Sequence, residues 1–170
     1  GVAYLENFFP GVLAMILLFT AIFSTISIIE DRNAGFLQGV LASPAPRASV
    51  AAGKLLGATA LAWGQALLFL LLVPFAGIDI SPSGAAAAAA VLPLVAFPLA
   101  GVGFCLAWRM DSTQGFHAVM MLFLMPMWLL SGAFFPPEGA PAWAAWTIRL
   151  NPLTYGVAAI RRALYLPAAP

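Results

Sequence analysis

The side chains able to do acid–base chemistry are few in this 170-residue chain, and they do not form a recognisable motif. The one histidine, His117, has no nucleophile or carboxylate at the spacing of a catalytic motif. Asp111 is the nearest acid, and the adjacent Arg109 is the partner expected for its carboxylate. The sequence therefore predicts no catalytic residues and no enzyme activity in this chain.

Metal and nucleotide sites are equally poorly supported. There is no HExxH motif, and the one cysteine, Cys105, lies in an apolar run, which excludes an internal disulfide and a cysteine-based metal cluster. The segment GKLLG around Lys54 lacks the preceding glycine and the following Ser or Thr of a phosphate-binding loop. We expect no metal and no cofactor here, so any ATP must be bound elsewhere.

Composition indicates that these residues sit in a membrane protein. Hydrophobic residues make up 63% of the chain and charged residues 8%, with a mean hydropathy of +1.00, whereas soluble domains are about 45–50% apolar and about 25% charged. The apolar runs lack the alternation of a membrane β-barrel, so the prediction is an all-α, polytopic helical membrane protein. A net charge of +1 argues against a nucleic-acid partner.

Four membrane spans are predicted, since a helix needs roughly 20 apolar residues to cross the bilayer. They are placed at about residues 8–29, 48–76, 85–108 and 116–130. The chain has no initiator Met and opens close to its first apolar run, so residues 1–170 are interpreted as one transmembrane domain that is a fragment. Lys and Arg in the first and third connections place those two connections in the cytoplasm. The final segment is external by parity and does not fit this rule, because it carries Arg149, Arg161 and Arg162.

Several residues inside the spans are polar or shape the helices. Trp63 and Gln65 should face protein or a cavity rather than lipid, with substrate contact as the alternative role. Pro93 and Pro98 predict either a static kink or a moving hinge in the third span. A stripe of small residues in the second span predicts close helix packing, and it consists of Gly53, Gly57 and Gly64.

The first cytoplasmic connection contains a short amphipathic segment. Asn33 is the expected cap of a short helix, which Pro44 and Pro46 terminate. One apolar stripe runs along that helix, formed by Phe36, Leu37, Val40 and Leu41. Such a helix lies on the membrane surface or docks in the groove of a partner protein.

The segment after the fourth span is interrupted by Pro and Gly. The run Ala142–Leu150 is too short to span the bilayer, and Trp143 and Trp146 suit the headgroup region. Residues of about 133–160 are therefore predicted to form an external re-entrant or interfacial hairpin rather than an ordinary surface loop.

Two regions of the chain contain recognisable motifs. The first, in the first cytoplasmic connection, comprises Glu30, Asp31, Arg32, Gly35, Phe36, Leu41, Pro44, Arg47 and Lys54. The second, after the fourth span, comprises Leu130, Ser131, Gly132, Phe135, Pro136, Pro141, Asn151, Pro152, Leu153, Thr154, Tyr155 and Arg161. Both regions resemble the membrane domain of ABC-2-type transporters, especially the drug-resistance and polyketide-antibiotic exporter branch, and the resemblance extends over essentially the whole chain.

The resemblance implies a specific organisation. Members have six spans, of which the four visible here would be the second to fifth. It implies that residues 35–43 form a cytoplasmic coupling helix, with Gly35, Phe36, Leu37, Val40 and Leu41 docking a separate nucleotide-binding ATPase subunit that carries ATP and Mg. Gate or hinge candidates are Glu30, Arg32 and Arg47. The external hairpin would use Phe135, Pro136, Asn151, Pro152, Tyr155 and Arg161.

The function implied is that of an exporter permease. It would act in the plasma or inner membrane as a homodimer or heterodimer of permeases, moving an amphipathic drug-like or lipid-linked compound, as in multidrug resistance. Two other classes remain open, an ion-coupled secondary transporter and a non-transporting membrane scaffold. The few charges within the spans argue against ion coupling.

Overall fold

The computed structural model describes residues 2–42, 44, 46–133 and 142–165, which form eight α-helices and no β-strand. The helices are α1 (Val2–Phe23), α2 (Ser27–Asn33), α3 (Phe36–Ala42), α4 (Arg47–Leu71), α5 (Pro82–Arg109), α6 (Thr113–Trp128), α7 (Ala142–Leu150) and α8 (Pro152–Leu164). A turn of 3₁₀ helix at Ser24–Ile26 joins α1 to α2, and a wide π-type turn at Leu129–Ala133 follows α6. The predicted all-α, polytopic class is confirmed.

Within the described residues, four helical segments are long and apolar enough to cross a membrane. They are Phe8–Asn33, Arg47–Phe75, Pro82–Arg109 and Thr113–Gly132. The first runs beyond the predicted end at residue 29, because the helix continues through the charged residues of α2. The charged residues of α2 therefore belong to the same helical segment as the apolar run before them.

Local sequence signals explain where the helices begin. The Ser81 hydroxyl accepts from Gly84 N at 3.1 Å, and the Ser112 hydroxyl accepts from Gly115 N at 3.2 Å. The Asn151 side chain accepts from Leu153 N at 3.0 Å and caps α8. Each cap satisfies a backbone N–H that has no partner within its helix.

The core of the bundle surrounds α1. Leu13, Leu17 and Ile22 are fully buried, and α1 packs against α4, α5 and α8. On the facing side of α5, a Cβ added to Gly103 would lie 2.8 Å from Thr25 Oγ1 and 3.0 Å from the Cα of Ile22. The absence of a side chain at Gly103 thus lets α5 approach the backbone of the first span.

The second-span glycines make no close helix contact in the described part of the chain, so their packing role stays a prediction. A Cβ added at Gly53, Gly57 or Gly64 would meet nothing within 4 Å among the described residues. Close approach occurs instead at Gly103 and at Gly156, where an added Cβ would lie 2.8 Å from Val95 Cγ1. Residue spacing predicted a glycine stripe but not which way that stripe faces.

The last helix, α8, lies along one half of α5. Pro152, at its start, lines the same cleft as Leu99, and the carbonyl oxygen of Leu164, at its end, lies beside Gly84. Since Leu99 is about 15 Å along the helix from Arg109, α8 covers the half of α5 farthest from that residue. Its face toward the bundle is buried at Leu153, Val157 and Ile160.

Candidate functional site

Charged side chains cluster where α2 meets the ends of α4 and α5. Glu30, Asp31 and Arg32 are consecutive on α2, so the helix directs them about 100° apart. Asp31 points to α4 and Arg32 to the α5–α6 connection, whereas Glu30 is exposed. One turn of helix therefore contacts α4, the end of α5 and the connection that follows α5.

Arg32 caps the carboxyl end of α5. Its Nη2 donates to the Trp108 carbonyl at 2.6 Å, and its Nη1 donates to the Met110 carbonyl at 3.2 Å and to Asp111 Oδ1 at 3.1 Å. The last carbonyls of a helix lack partners within the helix and carry its negative end, so a guanidinium placed there satisfies and stabilises them. The predicted Arg109–Asp111 pair is wrong, because Arg32 is the partner of Asp111.

Asp31 and Lys54 form the second contact. Their carboxylate and ammonium groups are hydrogen-bonded, and both side chains are largely shielded, at 26% and 28% exposed. Lys54 Nζ also donates to Ser27 Oγ at 3.1 Å, so it bridges two turns of α2. Because shielding from water strengthens an ion pair that has good hydrogen-bond geometry, this contact holds α2 against α4.

A glycine sets the angle between α2 and α3. Gly35 has φ +76°, a left-handed conformation that costs glycine little, and its N–H donates to the Arg32 carbonyl at 3.0 Å. Asn33 belongs to α2 and donates from its side chain to the Asp111 carbonyl at 3.3 Å, so its predicted role as the cap of the short helix is wrong. Only two residues thus separate α2 from α3.

The side chains of the apolar stripe of α3 differ in burial. Leu37 is buried in the core of the bundle, Val40 is half-buried, and Phe36 is 63% exposed. The backbone of Leu41 lies within α3. Of the described stripe side chains, Phe36 is therefore the one directed away from the bundle.

The other predicted gate residues do not join this network in the described part of the chain. No ion pair between Glu30 and Arg32 is present there, and Arg47 is exposed at the first turn of α4. The gate or hinge role of these residues stays a prediction. Sequence reasoning missed Asp111, Lys54 and Trp108 as partners of α2, because they lie between 23 and 79 residues away along the chain.

The predicted hairpin residues are described in part. Phe135 and Pro136 lie outside the described residues. Asn151 is buried and donates from Nδ2 to the Met127 carbonyl at 2.5 Å, which ties the junction of α7 and α8 to the end of α6. Pro152 lies in the first turn of α8, Tyr155 Oη donates to the Arg149 carbonyl at 2.9 Å, and Arg161 lies half-buried on α8.

Two polar residues within the spans make contacts inside the protein. The Trp63 indole N–H donates to the Ala89 carbonyl at 2.9 Å, and Thr20 Oγ1 donates to Gln65 Oε1 at 2.5 Å. Ala89 is four residues before Pro93, which has no N–H to offer that carbonyl. Trp63 on α4 thus replaces the hydrogen bond that Pro93 removes from α5.

The described residues include no group of three or more His, Cys, Asp or Glu side chains able to hold a metal ion. The polar network on α2 instead consists of ion pairs and helix caps. Such contacts join helices mechanically and do not provide a nucleophile or a general base.

The helical bundle defines a polytopic helical membrane protein. The family model of the ABC-2 type transporters matches residues 1–165. The chain belongs to this family of transport permease components and is a multi-pass protein of the plasma membrane.

Two curated relatives are similar to the chain. The putative transport permease ycf38 of Cyanophora paradoxa is 28% identical over 160 residues, which are 93% of this chain and 55% of the relative. The probable multidrug ABC transporter permease YbhR of Escherichia coli strain K12 is 27% identical over 153 residues, 86% of this chain and 40% of the relative. The chain thus spans about half or less of the length of these relatives. No solved structure is significantly similar to it.

Proposed function

We propose that this chain is the membrane part of an ATP-driven exporter, and that a separate nucleotide-binding subunit, which carries ATP and Mg, docks on α3. The observation that carries the proposal is the attachment of α2 to both α4 and the α5–α6 connection through Lys54 and Arg32. A force applied to α3 would pass through Gly35 to α2 and from there to three membrane spans.

The exposed side chain of Phe36 is the proposed docking contact. An aromatic side chain in water gains free energy when a partner's groove covers it, and aromatic residues are frequent anchors of interfaces. Leu37, which lies on the neighbouring face of α3, is covered by the bundle itself. α3 would therefore use one face for its own bundle and another for the ATPase.

The charged residues of α2 support a rigid connection between α3 and the membrane spans rather than a flexible loop. Asp31 and Arg32 each contact a different element, so α2 cannot turn without breaking an ion pair or a helix cap. Packed elements of this kind move as rigid bodies between discrete arrangements. We infer that ATP binding and hydrolysis in the partner subunits switch the bundle between two such arrangements, with Glu30, Arg32 and Arg47 at the hinge.

We also propose that α7 and α8 form a re-entrant hairpin on the external side. Asn151 binds the Met127 carbonyl, and Met127 lines the same cleft as Leu99. Leu99 lies about 15 Å along α5 from Arg109, so Asn151 lies at about this depth too. That depth is near the middle of a hydrocarbon core about 30 Å thick. The hairpin would then close the outer half of the pathway.

The cargo we propose is an amphipathic, drug-like or lipid-linked compound. The described spans contain few charged groups, and the Escherichia coli relative carries the printed name of a multidrug permease. Because the resemblance to ABC-2 permeases implies a dimer, we also propose a homodimer or heterodimer of permeases.

The proposed function is tested by co-purification. The complete tagged protein is isolated from native membranes, and ATP hydrolysis in the eluate is measured for wild type, Phe36→Asp and Gln38→Asp. Gln38 is exposed and lies about 200° around α3 from Phe36, which makes it the matched control. We expect ATPase activity to co-purify with wild type and Gln38→Asp and to be lost with Phe36→Asp.

A wild-type eluate that contains the intact permease but no ATP-hydrolysing subunit would contradict the proposal. An ion-coupled transporter or a membrane scaffold would then account better for the bundle. Retention of the ATPase by Phe36→Asp would instead show that α3 does not dock it through this residue.

A further inference from the structure

A groove of about 540 Å³ opens between the first turns of α4 and the last turns of α5. The inward part of its wall is apolar and includes the half-buried Val50 and Phe104. Two exposed arginines, Arg47 and Arg109, lie where the helices end. The groove is therefore amphipathic, with positive charge at the end of the bundle and apolar side chains toward the middle of the bundle.

The two arginines are uncompensated in the described part of the chain. The other cations at this end are engaged, Arg32 with Asp111 and Lys54 with Asp31. Neither Arg47 nor Arg109 has an ion pair or a hydrogen bond to another described side chain. Two positive charges thus face one groove, and no described carboxylate forms an ion pair with either of them.

Trp108 forms a fixed wall beside them. Its ring stacks on Phe104 at 5.7 Å between centroids, and the Arg32 guanidinium lies 5.6 Å from the ring centroid. The side chain is 43% exposed, at a helix end where amphipathic aromatic rings commonly sit at the headgroup level. This wall is preorganised, so a ligand would not have to order it.

The helix ends also favour an anion at this position. Arg47 begins α4, so the positive end of the helix dipole lies at this position. The negative end of α5 is already covered, because Arg32 binds the Trp108 and Met110 carbonyls. An anion in the groove would therefore meet the attractive end of one helix and a neutralised end of the other.

We propose that this groove binds an anionic phospholipid of the cytoplasmic leaflet, with its phosphate between Arg47 and Arg109 and an acyl chain along Val50 and Phe104. Basic pockets between helices on the cytoplasmic side are suited to such headgroups, and each arginine near the surface contributes about fivefold in affinity. A free phosphate would leave the apolar wall uncovered, and a neutral lipid would leave the arginines without a counter-ion. The site does not depend on docking of an ATPase at α3.

Cys105 lines the same groove and is exposed, so its alkylation reports on occupancy there. The complete protein is placed in nanodiscs of phosphatidylcholine alone or mixed with phosphatidylglycerol. The rate of maleimide addition to the Cys105 peptide is then measured by mass spectrometry. We expect the anionic bilayer to slow alkylation several-fold, whereas inorganic phosphate added to neutral nanodiscs leaves the rate unchanged.

Two double variants separate the groove from the general charge of the bilayer. Arg47→Gln with Arg109→Gln should abolish the slowing, and Arg149→Gln with Arg162→Gln, which removes the same charge elsewhere, should preserve it. Replacement of Arg47 and Arg109 by Lys keeps the charges and should retain part of the effect.

The proposal is overturned if wild-type Cys105 reacts equally fast in both bilayers, or if the first double variant still shows the full slowing. Equal slowing by inorganic phosphate would assign the arginines to a free anion. A Cys105 that fails to react even in the neutral bilayer would also overturn the proposal, because the groove would then be covered without an anionic lipid.

Discussion

At the residue scale, Arg32 joins two helix ends that are far apart in sequence. Its guanidinium binds two backbone carbonyls at the end of α5 and one carboxylate in the α5–α6 connection. The Asp111 side chain is 89% exposed, so water screens its charge, whereas the carbonyl contacts complete the helix. The backbone contacts should therefore outweigh the ion pair.

This difference gives a testable prediction. Arg32→Gln should lower the free energy of unfolding by about 2 kcal/mol, because it removes hydrogen bonds from a charged donor. Asp111→Asn should lower it by less than about 1 kcal/mol, as expected for an exposed pair. Both variants are unfolded in the same detergent, and circular dichroism shows which substitution lowers the free energy of unfolding more. A larger loss for Asp111→Asn would show that the ion pair dominates.

At the element scale, α5 is a proline-containing helix completed by its neighbours. Arg32 satisfies its carboxyl end, and Trp63 satisfies the Ala89 carbonyl that Pro93 leaves without a donor. Such compensation allows a proline within a membrane helix, where water is not at hand to bind a freed carbonyl. The Pro93 position of α5 is thus linked to α4 by a specific hydrogen bond.

A double-mutant cycle tests this link. Trp63→Phe should reduce the free energy of unfolding by about 1 kcal/mol, because it keeps an aromatic ring but removes the indole N–H that binds the Ala89 carbonyl. In a Pro93→Ala background the same substitution should cost much less, since the backbone N–H restored at position 93 can then bond to that carbonyl. Equal costs in the two backgrounds would mean that Trp63 acts through packing alone.

The helices themselves were largely predictable from the sequence. Apolar length located the four spans within a few residues, and Pro44 with Pro46 correctly predicted the end of a short helix near Ala42. The orientation of each helix about its axis was not predictable. Lipid and protein interior are both apolar, so the faces of a span look alike in sequence. That is why the glycines at positions 53, 57 and 64 were expected at a helix contact that Gly103 and Gly156 make instead.

The residues of the candidate site could be predicted from the sequence, but their contacts could not. The charged cluster before α3 could be recognised from its residues, but the partners of Asp31 and Arg32 lie on other helices and depend on how those helices pack. The apolar stripe of α3 was also recognisable. Its division into a buried Leu37 and an exposed Phe36 depends on the angle that Gly35 sets.

At the scale of the whole molecule, the two ends of the bundle differ. One end gathers α2, α3 and the charged ends of α4 and α5, whereas the other holds the Gly84 end of α5 and the last turn of α8. Basic residues at the first end favour the cytoplasm for it, whereas Arg161 and Arg162 place basic residues in the last turn of α8 as well. The ATPase partner that we propose would act at the first end.

The central claim, that α3 docks an ATPase, is tested most directly by photocrosslinking in living cells. Benzoylphenylalanine replaces Phe36 in one variant of the complete protein and Phe75 in another, since Phe75 is an 89% exposed phenylalanine beyond the far end of α4. We expect position 36 to crosslink to a subunit that binds ATP and position 75 not to. Crosslinks from position 36 to lipid alone, or to the same proteins as position 75, would contradict the account.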